Sequence, residues 1–230
     1  MADIGLFTYN KQEHKGFYRG KLIPSITQLV ALLFPMSDSI KKEVIDNACD
    51  RGTKVHNDID NTLSGLQDTC ETQEGKNFMK LTESLGLTTL SSEGLLLYED
   101  REGNIIAYGH YDQLWVATLY IVVRDGKLTT TDLPLETDTI LYHQTNTILS
   151  DTKTISQFVD KKVETQLNLY SIGKELIKGR LEEIEVDNLI GIWVRDDKAQ
   201  IRPLSLWDKD FTYNFLLKLV REWNEQNKGE

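Results

Sequence analysis

The feature that most constrains the fold is the β-rich middle of the chain, from about residue 93 to residue 153. β-Branched and aromatic residues are frequent in this stretch and favour extended strands. Turn-forming sequences interrupt it at 100–104 and at 124–127, which predicts two hairpin turns. The pattern therefore predicts four strands, over residues 93–98, 105–114, 119–123 and 139–150.

Helical patterns flank this segment on both sides. Upstream, Ser25 is placed to cap a helix that reaches residue 34, and Asp38 or Ser39 to cap a second helix that runs to residue 49. Apolar spacing then predicts helices over 53–64, after a break or restart at 50–53, and over 76–85, where Gly86 ends the helix. Downstream, we expect helices over 156–180 and 209–224, with a hairpin of strands 189–194 and 200–204 between them.

This order of elements predicts an α/β fold, with a central mixed β-sheet flanked by helices. The chain has only four prolines in 230 residues and shows no Pro/Gly/Ser-rich linker, which favours a single domain. Within that domain we expect a helical part over about 22–90, the sheet over about 93–206 and a closing helix over about 209–224.

Composition and charge narrow the class of protein. Hydrophobic residues make up 40% and charged residues 27% of the chain, as in globular proteins. The apolar runs are too short to span a bilayer and the first ten residues show no secretory pattern, so we expect no membrane partner and a cytoplasmic location. The two cysteines, Cys49 and Cys70, lack metal-ligand spacing, which disfavours a disulfide scaffold or a cysteine-held cluster. A net charge of −10 disfavours a broad basic clamp for nucleic acid and favours locally focused binding.

The main candidate for chemistry is the triplet Asp151-Thr152-Lys153 at the end of a predicted strand. Residues two apart in a strand project to the same face, so Asp151 and Lys153 place a carboxylate beside an ammonium. An ordinary surface ion pair is the alternative, because Asp-x-Lys triplets are common. Asp112 ends another predicted strand, and if the two strands are neighbours, two carboxylates and a lysine converge. Such hard oxygen ligands suit Mg²⁺ or Mn²⁺, which polarise a phosphate and activate a water.

Three further residues can join this site. His56 is a reasonable Mn²⁺ ligand beside carboxylates, although a half-buried helix histidine is the simpler interpretation. Gln166 and Tyr170 are spaced i, i+4 and therefore share a helix face. They either brace the site, touch a nucleic-acid backbone, or form the polar seam of an amphipathic helix.

Taken in order, these pieces resemble the PD-(D/E)xK nuclease superfamily, in particular its RecB-type exonuclease branch and related phage nucleases. The similarity covers about residues 24–206. Each motif is common alone, but their order and their placement on the expected elements make the set specific. The motifs are Pro24-Ser25-Ile26-Thr27, Arg51-Gly52-Thr53-x-x-His56, Gly109-His110-Tyr111-Asp112, Asp151-Thr152-Lys153-Thr154 and Gln166-Leu167-x-x-Tyr170.

The resemblance implies a restriction-endonuclease-like core and a role for each matching residue. It makes Asp112, Asp151 and Lys153 catalytic. Glu93 is similar, more loosely, to an upstream acidic residue near the metal, and Gln166 with Tyr170 to the family's downstream helix pair. The implied ligands of one or two Mg²⁺ or Mn²⁺ ions are His56, Asp112, Asp151 and the backbone carbonyl of Thr152.

Contacts to substrate are a weaker expectation. Lys54, Lys161 and Lys162 lie near motif positions and could contact phosphates, but surface solvation is the favoured role for each. The weak candidates for substrate binding are Arg51, Thr53, Lys54 and Thr154.

Two departures from the family accompany this resemblance. Between Asp112 and Asp151 lie 38 residues, more than the short hairpin usual in this branch, so segment 117–139 is a candidate inserted hairpin that contacts substrate or another subunit. The cysteine ligands of iron–sulfur members are absent, so no such cluster is expected.

The implied activity is metal-dependent hydrolysis of DNA phosphodiester bonds. The chain has no evident extra domain for reading base sequence, which favours an exonuclease in DNA end processing, recombination or replication. The alternatives are a structure- or site-specific endonuclease on the same fold, a non-catalytic nucleic-acid-binding or assembly protein, and an α/β protein with chance motifs. Expected partners are single-stranded or duplex DNA ends, and either further copies of this chain or a recombination or replication protein.

Overall fold

The computed structural model describes residues 4–10, 13–35, 37, 39, 41–132 and 134–228. A 3₁₀ turn at Ile4–Leu6 precedes a three-stranded sheet of β1 (Phe7–Asn10), β2 (Lys15–Tyr18) and β3 (Lys21–Ile23). Three helices follow, namely α1 (Ile26–Leu33), α2 (Lys42–Leu63) and α3 (Gln73–Ser84). The remaining elements are β4 (Thr88–Glu99), β5 (Ile105–Arg124), β6 (Lys127–Thr131), β7 (Thr139–Lys153), α4 (Asp160–Ser171), β8 (Lys174–Ile177), β9 (Arg180–Glu183), β10 (Asn188–Val194), β11 (Ala199–Leu204) and α5 (Lys209–Gln226).

The large sheet contains eight strands. Seven of them follow the order β11-β10-β7-β5-β4-β8-β9, and β6 pairs with β5 beside this path. Strands β7 and β10 run parallel, whereas the other pairs are antiparallel. The mixed sheet expected from the sequence is therefore confirmed.

Helices cover both faces of this sheet. On one face, α1, α4 and α5 share a core with inward side chains of the strands, including Leu96, Leu149 and Leu189. On the other face, α2 and α3 pack with Trp115 and Ile192. The fold is thus an α/β arrangement of helix, sheet and helix layers, as predicted.

Helix α1 begins where the sequence predicts. Ser25 Oγ accepts a hydrogen bond from the Gln28 backbone, and the Gln28 side chain accepts one from the Ser25 backbone. This reciprocal pair satisfies two N–H groups at the helix start. The backbone N–H of Tyr108 donates to the Pro24 carbonyl, which ties the start of α1 to β5.

The break predicted at 50–53 is wrong, because α2 is one continuous helix. A glycine such as Gly52 inside a helix costs about 1 kcal/mol relative to alanine. Burial of Val55 and Ile59 against the sheet contributes roughly 1.5–3 kcal/mol each, so packing outweighs the local preference. The predicted cap is also wrong at Ser39, since α2 begins after Lys41, while Asp38 lies outside the described residues.

The helix predicted over 156–180 is wrong in its extent. Helix α4 ends at Ser171, and the following residues form the β8–β9 hairpin. Lys178 and Gly179 adopt the left-handed backbone region, with φ of 49° and 78°, and this turn reverses the chain. That hairpin lies at the edge of the sheet opposite β11.

The two strands predicted over 105–114 and 119–123 are one strand, β5. Beyond Leu114 it continues to pair with β7, from Trp115 opposite Ile148 to Val123 opposite Thr139. Strand β6 pairs with this extension. The segment 117–139 therefore lengthens an antiparallel arrangement and leaves β5 and β7 adjacent.

Two other expectations concern the membrane and the cysteines. Among the described helices, none combines the length and apolar character needed to cross a bilayer. Cys49 is exposed and Cys70 is buried, and both are free thiols.

Candidate metal centre

Asp112 lies where β4, β5 and β7 meet helix α2. In the β5–β7 ladder Gln113 faces Ser150, so the next positions, Asp112 and Asp151, are neighbours across the two strands. The Asp112 carboxylate accepts a 2.6 Å hydrogen bond from the backbone N–H of Thr152. The two predicted carboxylates are therefore carried by adjacent strands, in spite of the long segment between them.

His56 approaches Asp112 from α2. Its Nε2 lies 3.0 Å from the backbone carbonyl of Thr152, which can only accept, so Nε2 carries the proton. In the neutral ring this leaves the Nδ1 lone pair facing Oδ2 of Asp112 at 3.6 Å. The Thr152 carbonyl thus orients His56 in this structure. That this carbonyl also binds the metal directly stays a prediction.

Glu93 completes a set of ligand atoms around Asp112. His56, Glu93 and Asp112 each present one such atom, and these atoms lie within 4.8 Å of one another. Glu93 falls between the ladder pairs Ser92–Gln113 and Gly94–Tyr111, so it stands opposite Asp112. One imidazole and two carboxylates form a donor set that fits a divalent cation.

The backbone at Glu93 is strained. Its φ is 53°, in the left-handed region, which costs on the order of 1–3 kcal/mol for a residue with a side chain. Such conformations cluster at functional sites, where the surrounding structure enforces them. Glu93 therefore belongs more closely to the site than its loose motif match suggested.

Asp151 and Lys153 form an ion pair on the face of β7 that looks towards α4. Asp151 Oδ2 lies 2.6 Å from Lys153 Nζ, and the Asp151 side chain is almost fully buried. Burial raises the pKa of Asp151, the charge of Asp112 adds to this, and Lys153 opposes it. Burial also disfavours the charge on Lys153, but Asp151 and Asp112 outweigh it and raise the lysine pKa. Lys153 is therefore held as a cation beside two acidic groups.

Gln166 and Tyr170 brace Asp151 from α4. Gln166 Nε2 donates to Asp151 Oδ1 at 3.2 Å and to the Tyr170 hydroxyl at 2.8 Å. The Tyr170 ring packs over Gly109, where a Cβ would lie 2.8 Å from Tyr170 Cε1. Because Gly109 has no side chain, it leaves room for the Tyr170 ring.

These groups border a cleft of about 350 Å³. It brings together residues of four of the five motifs, including Thr27 at the start of α1. The lining residues are Thr27, His110, Asp112, Asp151, Lys153, Ile155, Val159, Lys162, Val163, Gln166 and Tyr170.

Two of these residues were not predicted as site residues from the sequence. Lys162, for which surface solvation was favoured, lies in the cleft, where burial and the charge of Lys153 lower its pKa. Lys162 precedes Gln166 by four residues, so the helical spacing already contained this signal. His110 precedes Asp112 by two residues on the same strand, so strand alternation could have found it.

The weaker substrate-binding candidates lie outside the cleft lining. Arg51 pairs with Glu74 on α3, with its Nε 3.0 Å from Glu74 Oε1. Thr53 and Lys54 are exposed on α2, and Thr154 is buried. The structure thus brings together Asp112, Asp151, Lys153, His56, Glu93, Gln166 and Tyr170, but not these four.

Comparisons with known proteins add little to this picture. No family of proteins and no curated protein sequence matches the chain. Among solved structures, one described as the crystal structure of SSO0001 is similar with a TM-score of 0.34 and 12% sequence identity, over 64% of this chain. The match spans 55% of SSO0001.

Proposed function

We propose that this chain is a divalent-metal-dependent nuclease of the PD-(D/E)xK type that hydrolyses DNA phosphodiester bonds. The observation that supports it is the position of Asp112. Its carboxylate faces His56 Nδ1 on one side and accepts a hydrogen bond from the strand that carries Asp151 and Lys153. Asp112, which belongs to the metal-ligand set, and the half-buried Lys153 therefore line one cleft.

The residues present fit a bound metal ion. Burial raises the pKa of Asp151 and the charge of Asp112 adds to this, and a divalent cation would relieve the repulsion between the two carboxylates. His56, Glu93 and Asp112 would hold Mg²⁺ or Mn²⁺, with Asp151 beside them. When bound, such an ion polarises a phosphate and lowers the pKa of a water molecule.

Two lysines, Lys153 and Lys162, add positive charge to the cleft. Asp151 holds the Lys153 ammonium in the cleft, where it can donate to a phosphate oxygen or orient the attacking water. Lys162 adds a second positive charge to the same lining. Positive groups fixed in advance stabilise the negative charge that develops on the phosphate in the transition state.

The size of the cleft favours action at a DNA end. A volume of about 350 Å³ lies at the small end of the range for single small ligands, so the cleft fits a group the size of one nucleotide. A net charge of −10 also disfavours tight coverage of long duplex DNA. We therefore favour an exonuclease in DNA end processing, recombination or replication.

A cleavage assay tests this function. Labelled single-stranded, linear duplex and closed circular DNA are incubated with the protein in Mg²⁺, in Mn²⁺ or in EDTA. We expect metal-dependent degradation of DNA with ends and intact circles. Cleavage of the circles assigns an endonuclease on the same fold, and a complete lack of cleavage contradicts the nuclease function.

The variant Lys153→Ala distinguishes cleavage by this site from cleavage by a contaminating nuclease. We expect it to lower cleavage by about a hundredfold or more, the usual effect of losing one group that stabilises transition-state charge. Lys161→Ala, an exposed lysine on α4, is the matched control and keeps full activity. Full activity in Lys153→Ala contradicts the proposed mechanism.

A further inference from the structure

A basic and aromatic surface lies beside the cleft, on strands β10 and β11 and the turn between them. It is formed by one tryptophan with three cations around it. Its members, which we name the Trp193 platform, are Trp193, Arg195, Lys198 and Arg202.

Sheet register places this platform next to the candidate catalytic residues. Trp193 on β10 is the direct partner of Lys153 on β7. Arg202 on β11 is the partner of Gly191, which in turn is the partner of Asp151. Register partners project to the same face of a sheet, and neighbouring strands lie about 4.8 Å apart. The platform therefore begins one strand, about 5 Å, from the Lys153 backbone and extends to the sheet edge.

The platform is also joined to the cleft wall. The Trp193 indole N–H donates to the Ile155 carbonyl at 2.8 Å, and Ile155 lines the cleft. This bond fixes the ring edge. Lys198 Nζ lies 5.1 Å and the Arg202 guanidinium 5.9 Å from the ring centroid, so both cations sit over the aromatic face.

The three cations lack carboxylate partners. Among the described residues, none of them has an acidic oxygen within 4.0 Å, whereas Arg51, Arg124 and Lys174 elsewhere are all paired. Asp196 and Asp197 share the turn with Lys198, but both are exposed and their carboxylates form no ion pair with the platform.

The two arginines also have unused donors. The Nε atoms of Arg195 and Arg202 are buried and have no hydrogen-bond partner in the described structure. Their other contacts are neutral and long, at 3.4 Å to the Ile155 carbonyl and 3.3 Å to the Gln200 side chain. A phosphate would bind the Nη groups of these arginines, whose present contacts are weak, since guanidinium groups match phosphate oxygens.

We propose that the Trp193 platform binds the unpaired nucleotides next to the one in the cleft. A base stacks on the Trp193 ring, and Arg195, Lys198 and Arg202 hold the adjoining phosphates. Lys198 is exposed, so its ammonium can move from the ring to a bound phosphate. Aromatic side chains with flanking cations bind single strands in this way, whereas the bases of a duplex are not open to stacking. This assignment rests on the proposed nuclease function and makes single-stranded DNA its substrate.

Binding without turnover tests the platform. A fluorescein-labelled oligo-dT single strand, and the duplex that it forms with oligo-dA, are titrated with protein in EDTA. We expect Trp193→Ala and Arg202→Ala each to weaken binding of the single strand by roughly tenfold or more, as for the loss of one stacked base or one bound phosphate. Arg180→Ala, an exposed arginine at the opposite edge of the sheet, is the matched control and binds like the wild type.

Three further measurements distinguish the possible causes of a change in binding. Thermal unfolding shows whether each variant is folded, and Trp193→Phe, which keeps a stacking ring, restores most of the single-strand affinity if stacking is the cause. Hydrolysis of bis(p-nitrophenyl) phosphate by the wild type with Mn²⁺ measures the metal-dependent activity alone, because this small ester has no neighbouring nucleotides for the platform to bind.

The outcomes separate the platform from the nuclease function. Unchanged single-strand binding in folded Trp193→Ala and Arg202→Ala overturns the platform, even if the small phosphate ester is hydrolysed. An equal loss for single strand and duplex also overturns it. Weakened single-strand binding without hydrolysis of ester or DNA supports the platform and contradicts the nuclease function.

Discussion

The backbone N–H of Thr152 donates a 2.6 Å hydrogen bond to the carboxylate of Asp112. This bond joins two motifs that are separated by 38 residues in the sequence. The intervening chain extends β5 and β7 as paired strands, with one register shift between Ile121 and Val122, so its length does not displace Asp112 from Asp151. The geometry of the candidate metal centre is therefore set by the backbone of the sheet.

This bond makes Asp112→Asn a clean test of metal binding. Asparagine keeps an oxygen that can accept from Thr152, so the fold is retained, but it removes the negative charge that a cation needs. We expect Mn²⁺ affinity to fall at least about tenfold, because even residues behind a metal ligand change affinity by 10- to 100-fold. Calorimetric titration with Mn²⁺ measures this, with the exposed Asp46→Asn on α2 as the control. An unchanged affinity would remove Asp112 from the metal site.

The strained backbone of Glu93 predicts a trade-off between stability and metal binding. In Glu93→Gly the left-handed conformation is no longer strained, so we expect the unfolding temperature without metal to stay equal or rise. The same variant loses a carboxylate, so the stabilisation produced by Mn²⁺ should shrink markedly.

Lys178→Gly is the matched control for Glu93→Gly. Lys178 also has a positive φ, of 49°, but lies in the β8–β9 turn away from the cleft. It should gain the same backbone relief and keep the full response to Mn²⁺. Thermal unfolding with and without Mn²⁺ measures both effects, and an equal response of the two glycine variants argues against Glu93 as a ligand.

Local sequence patterns were sufficient to predict much of the site. Strand alternation placed Asp151 and Lys153 side by side, and they form a close ion pair. Helical spacing placed Gln166 and Tyr170 on one face, and they are hydrogen-bonded to each other. These periodicities follow from backbone geometry and need no knowledge of the tertiary structure.

Other features depend on contacts between distant segments. The closeness of Glu93 to His56 requires an unusual backbone angle on β4, which no residue type in that segment signals. The continuity of α2 through Gly52 depends on burial of Val55 and Ile59 under the sheet. The end of α4 depends on a hairpin that pairs with β4. In each case tertiary packing outweighs a local preference.

Asp58 supports the site from a distance by anchoring the chain between α2 and α3. Its buried carboxylate accepts hydrogen bonds from the backbone N–H groups of Glu71 and Thr72, both at 2.8 Å, from the Thr72 hydroxyl, and from Gln67 Nε2 at 2.7 Å. Burial disfavours the charge, but the hydrogen bonds from Thr72, Glu71 and Gln67 outweigh it and lower the pKa of Asp58.

We therefore expect Asp58→Asn to destabilise the protein at neutral pH by about 3 kcal/mol, since hydrogen bonds to a charged group contribute roughly 1.5–3 kcal/mol each. The folded-state pKa is lowered, so this contribution is present above the unfolded-state pKa of about 3.9 and is lost as the pH falls through the folded-state value. Urea unfolding of wild type and variant at pH 7 and at successively lower pH measures the difference. A difference that stays constant across this range, or that also appears in Asp46→Asn, contradicts the role of the Asp58 charge.

Lys162 is the cleft residue whose role is best separated from the metal site. It is half-buried in the lining, and burial with the charge of Lys153 lowers its pKa. If it contacts a substrate phosphate, Lys162→Ala raises KM for DNA severalfold and reduces the slope of log affinity against log salt by about one. Lys161→Ala removes the neighbouring exposed lysine and the same formal charge, so it controls for the overall electrostatic effect. Steady-state cleavage and binding at several salt concentrations measure both quantities. Identical salt slopes for the two variants would place Lys162 outside the substrate path, because only a group that contacts phosphate releases a counterion of its own.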